Sequence, residues 1–208
     1  MPKTSLSAIH TELQRVQGDL ANAREIVNSE RGDYTEEGAQ KAYLNRIQHY
    51  NTASQLDTAR NQVEQVRAGA LKKAADYRES IFPTASDATE QLAAELAVSR
   101  MMQRPSFDSK AALAAFDEMP ASATRTLLIN ESVARGLVSQ EAIDGHTLNN
   151  YPDYKAAKED ADKVQAVSHS VDAKINYLQR AGEQLDAPKP GATESVDVSQ
   201  LPGVDLEF

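Results

Sequence analysis

Leu6-Ser7-Ala8-Ile9-His10-Thr11-Glu12-Leu13-Gln14-Arg15-Val16-Gln17-Gly18-Asp19-Leu20-Ala21-Asn22-Ala23-Arg24-Glu25-Ile26-Val27 is the stretch that decides the fold. Apolar or small residues stand at Leu6, Ile9, Leu13, Val16, Leu20, Ala23 and Val27, at alternating steps of three and four. A repeat near 3.5 residues keeps one stripe of a helix facing a neighbour along its whole length. A second seam of the same period runs through Tyr154, Ala157, Ala161, Val164, Val171, Ile175, Leu178 and Leu185. The two seams predict an all-α chain whose long helices pack lengthwise.

Working outward, Thr4 or Ser5 offers an N-cap to the first helix, which is expected to reach about Asn28. Gly32 suits a left-handed residue in the following turn. Thr35 then offers a second N-cap, with Glu36 and Glu37 where the helix dipole favours negative charge. No proline occurs between Thr35 and Pro83, and helical spacing continues through Tyr43, Ile47, Tyr50, Ala59, Val63, Val66, Ala70, Ala74, Tyr77 and Ile81. One helix is therefore expected, roughly 70 Å long against about 35 Å for the first, although its phase slips between Tyr50 and Ala59. Half of its stripe then lacks a partner in the first hairpin. The third seam, from Asp153 as N-cap to about Leu185, can cover that half and close a three-helix coiled-coil stalk from residues 1–83 and 151–186. A second copy of the chain is the competing cover.

Residues 84–150 read as a small helical subdomain of four short helices, punctuated by Pro105 and Pro120, with Ser86, Ser109, Ser122 and Ser139 as expected N-caps. Its expected core is Leu92, Leu96, Met101, Leu113, Phe116, Leu127, Leu128, Val133, Leu137 and Ile143. Gly136 and Ser139 predict a tight helix-turn-helix corner. From residue 187 onward, prolines and glycines exclude a helix. In that tail Val196, Val198, Leu201, Val204, Leu206 and Phe208 include two period-two runs, which suit a strand added to the sheet edge of a partner; an undocked terminus is the other reading.

The net charge of −9 lies in the second half of the chain. Residues 1–83 hold eleven basic and eleven acidic side chains, 84–150 five and nine, 151–186 five and seven, and 187–208 one and four. The longest basic run is Lys72-Lys73, which argues against nucleic acid as a partner. No apolar run approaches the eighteen residues of a membrane span, and no signal peptide is read at Met1 to Leu6. Cysteine is absent, which removes disulfides and thiolate metal sites.

The chain offers little for chemistry. His10, His49, His146 and His169 have no second ligand at a metal-binding spacing. His10 and His49 could face each other, half-exposed, across the first hairpin. Asp144-Gly145-His146 is expected in a loop, with no nucleophile placed near it. The pairs Glu36-Glu37, Asp117-Glu118 and Glu159-Asp160 fall at or near expected helix ends, and the nine glycines are too dispersed for a phosphate loop. Gly182 interrupts the third seam, either allowing close helix approach or marking fraying. Met101-Met102 is an adaptable apolar spot that suits core filling. No catalytic, metal-binding or cofactor-binding residue is expected.

The Leu6 to Val27 seam, the run Gln55-Leu56-Asp57-Thr58-Ala59-Arg60-Asn61-Gln62-Val63 and the detached tail together resemble the small acidic helical proteins that bacteriophages encode to build their particles, of scaffolding or minor head and tail type. The tail departs from one common scaffolding pattern, a basic helical C-terminus, being acidic and extended. The resemblance implies a non-enzymatic structural or assembly component, anchored to another structural protein by residues Val196 to Phe208 and present in many copies or as a homo-oligomer. It implies a cytoplasmic protein during assembly and a virion protein thereafter. A transient capsid scaffold and a helix-turn-helix DNA-binding regulator are the alternative expectations.

Overall fold

The computed structural model of the chain describes residues 6–188 and Gly191. Among them all regular structure is helical: α1 (Leu6–Ser29), a 3-10 turn (Arg31–Asp33), α2 (Glu36–Tyr50), α3 (Thr52–Ile81), α4 (Ala88–Met102), α5 (Ser109–Glu118), α6 (Ala123–Ala134), α7 (Gln140–Asn150) and α8 (Pro152–Glu183). The chain is all-α over this range. It divides into two compact units, one of residues 1–71 with 159–208 and the other of residues 72–158. Thr4, Ser5 and the six tail residues from Val196 to Phe208 lie outside the described residues.

In the first unit the α1 seam is buried throughout, with Leu6, Ile9, Leu13, Val16, Leu20, Ala23 and Val27 at no more than 3% exposure. Tyr43 and Ile47 of α2, Leu56, Ala59, Val63, Val66 and Ala70 of α3, and Ala161, Val164, Val171, Ile175, Leu178 and Leu185 along and just beyond α8 are buried too. This burial is achieved by one copy of the chain, so no second copy is required to cover the seams. At roughly 1.5 to 3 kcal/mol for each fully buried large side chain, it is the main stabilising term. Val167, Ser168 and Lys174 are buried on α8 as well, outside the expected seam.

The long helix expected from Thr35 to Pro83 is instead two helices. Thr35 caps the first as expected, its hydroxyl accepting from the Gly38 N–H at 3.1 Å. At Asn51 the backbone turns left-handed (φ 55°), and its N–H donates to the Gln48 carbonyl. Asparagine adopts this conformation more readily than other side-chain-bearing residues. The Gln55 side chain donates to the Tyr50 carbonyl at 2.8 Å, satisfying an acceptor that the break leaves open. The interruption accounts for the slip in phase after Tyr50.

Three further boundaries differ from expectation. Gly32 sits in the 3-10 turn without a positive φ; among described glycines that conformation belongs to Gly136 (φ 69°). Asp153 lies inside α8, not at its cap, because Pro152 takes the first helical position, where its missing N–H costs nothing. Glu159-Asp160 consequently sits two turns inside α8, away from either end.

In the second unit α4 packs on α6, and α5 packs on α6. Phe116 is fully buried and stacked on Phe82, with ring centroids 5.6 Å apart, among Ile81, Ala112, Ile129, Val138 and Ile143. Ser122 and Ser139 cap α6 and α7 as expected, but Asp87 and Asp108 cap α4 and α5 where Ser86 and Ser109 were expected. An ionised oxygen accepts from helix N–H groups more strongly than a hydroxyl does. Ser86 serves otherwise: its N–H and hydroxyl both donate to Glu90, holding that carboxyl below the ordinary glutamate range. Leu92 and Leu96, expected in the core, are 58% and 51% exposed, because α4 turns Ala94 and Val98 inward.

Candidate functional site

Within the first unit, polar contacts concentrate where α8 ends. Tyr43 is buried and its hydroxyl donates to the Ala181 carbonyl at 2.5 Å. The Gln40 side chain donates to the Glu183 carbonyl and accepts from the Leu185 N–H, at 2.8 and 2.9 Å. The Ala181 and Glu183 carbonyls are open acceptors of the α8 C-terminus and the Leu185 N–H lies just beyond it, so α2 caps the end of α8. Farther along, Arg67 pairs with Asp172 at 2.7 Å, and Arg60 donates to Asn176 and Gln179. Burial pushes the Tyr43 hydroxyl above the ordinary tyrosine range.

Within the second unit, Arg125 is the principal buried cation. Its guanidinium donates to the Ile81 carbonyl, to the Met119 carbonyl at 3.2 Å and to the Tyr151 hydroxyl at 3.1 Å, and lies over the Phe116 ring. Ile81 ends α3 and Met119 is the C-cap of α5, so the charge rests at the negative ends of two helix dipoles. The sequence reading missed Arg125; an arginine three residues after the N-capping Ser122 gives no signal that its charge is buried.

Asp144-Gly145-His146 lies inside α7, not in a loop. The His146 Nε2 is 2.7 Å from Asp117 Oδ1, and the Asn150 amide is 2.8 Å from the same nitrogen. His146 thus has a carboxylate partner 29 residues away, which explains Asp117 at the C-terminal end of α5, where the dipole disfavours it. The expected pairing of half-exposed histidines does not describe His10, which is buried, while His49 is exposed. Among the described residues no cluster of three His, Asp or Glu could hold a metal ion, and no helix is long and apolar enough to cross a membrane.

A cleft of about 230 Å³ opens where the end of α3 meets the start of α8 in this unit, with Tyr77, Tyr151, Tyr154 and Asp153 on its walls. Tyr77 and Tyr154 were expected as seam residues. Tyr77 is instead 37% exposed, and Tyr154 is half-buried beside the Phe116 core. The run Tyr151-Pro152-Asp153-Tyr154 is the only local sequence signal for the cleft; Tyr77 joins it through the fold.

No protein family, curated protein or solved structure matches the chain.

Proposed function

We propose that the chain is a non-enzymatic structural or assembly component of the kind found in phage particles, a helical spacer held to a multi-copy structural partner by its C-terminal tail. The observation that supports this reading is the division of apolar surface. The α1 seam and most of the seam residues of α2, α3 and α8 are buried within one copy, while Leu92 and Leu96 stand exposed one turn apart on α4. A chain that satisfies its own seams keeps its remaining exposed apolar groups for other proteins.

Deleting residues 196–208 tests the anchor. The helical circular dichroism of the full chain is expected to survive while capture of the partner is lost; undiminished capture would remove the anchoring role. Mass spectrometry of the finished particle separates a resident component from a transient scaffold. The helix-turn-helix alternative draws no support from α7, which carries Glu141 and Asp144 and no lysine or arginine.

A further inference from the structure

We propose that the tyrosine cleft of the second unit binds an organic cation, the ammonium or guanidinium head of a lysine or arginine side chain. Three of the chain's seven tyrosines, Tyr77, Tyr151 and Tyr154, wall a cavity of about 230 Å³, which has room for one such head. Aromatic walls favour a cation over a neutral group of equal size, because the ring quadrupole attracts positive charge.

The polar groups of the lining point the same way. Ser80 already donates to the Tyr77 carbonyl at 2.7 Å. The Asn150 amide is engaged by Asp117 and His146, and the Tyr151 hydroxyl by Arg125. The Asp153 carboxylate makes no hydrogen bond or ion pair with any described residue, so it remains an open acceptor. The negative end of α3 at Ile81 is already taken by the Arg125 guanidinium, so the charge that faces a ligand is the Asp153 carboxylate, which also offsets the positive end of α8. An ammonium group needs acceptors and aromatic surface, and both line the cleft.

This deepens the assembly reading, on which the cation belongs to a basic segment of the partner. The cleft itself is tested on the full chain with tetramethylammonium chloride, following the tyrosine ring resonances by NMR. Saturable shifts of Tyr77, Tyr151 and Tyr154 are expected, with tert-butanol binding about tenfold more weakly and Asp153→Asn weakening tetramethylammonium about fivefold. Tyr77→Ala, at an exposed position, is expected to weaken binding without loss of helical signal. Equal shifts with tert-butanol, saturable binding of methyl glucoside instead, or no saturation below about 100 mM would overturn the assignment. Tail-dependent capture of a partner is read separately, so failure of the cleft and failure of the assembly role give different results.

Discussion

Arg125 is a buried charge with no carboxylate beside it, held by the carbonyl ends of two helices and the Tyr151 hydroxyl. Removing it leaves those carbonyls buried and unsatisfied, so Arg125→Ala is expected to destabilise the second unit by about 3 kcal/mol or more in urea unfolding. A loss below about 1 kcal/mol would mean that water replaces the guanidinium. Tyr43 makes a pH-dependent contribution. Its folded value is raised, so its contribution is complete below the ordinary tyrosine range and is lost as pH rises through the raised value. Ultraviolet titration is expected to show Tyr43 ionising late through burial and Tyr34 through its hydrogen bond to Glu30, and Tyr43→Phe is expected to reduce that late phase by one tyrosine. Gly182 has room for a methyl group: an added Cβ would stand 3.9 Å from Leu20 Cδ2, an ordinary contact. Gly182→Ala is therefore expected to raise stability by up to about 1 kcal/mol, read as a higher Tm.

At the scale of the element, the break at Asn51 separates two helices that the hydrophobic pattern ran together. Asn51→Gly is expected to keep or slightly raise stability, whereas Asn51→Ala is expected to cost about 1 kcal/mol, because alanine pays for the left-handed conformation. The α1 seam was legible because every member has the same environment, a dry interior, and periodicity reports that directly. The break was not, since an asparagine reads alike within a helix and at its left-handed end. Ser86 and Ser109 misled for a related reason: each adjoins an aspartate, and two capping side chains in succession leave the choice to local geometry. Leu92 and Leu96 have the i, i+4 spacing of a buried face, but spacing does not say which face of α4 meets α6. The tyrosine cleft was least legible, because Tyr77 lies more than seventy residues from Tyr151 and only the fold brings them together.

For the whole molecule, the physical statement is that one copy closes its own apolar seams. Tyr43 on Ala181, Gln40 on Glu183 and Leu185, and Arg67 on Asp172 all join early and late parts of the same chain. Fold class was readable from period alone, whereas closure within one chain or between two copies was not, since identical seams satisfy either. Co-refolding equal amounts of 13C-labelled and unlabelled chain and recording an isotope-filtered NOE spectrum separates the two. Contacts between Tyr43 and Ala181 are expected only within labelled molecules, with none crossing to unlabelled ones. Cross-peaks of that pair between labelled and unlabelled chains would contradict self-closure and make the helical core the product of two copies.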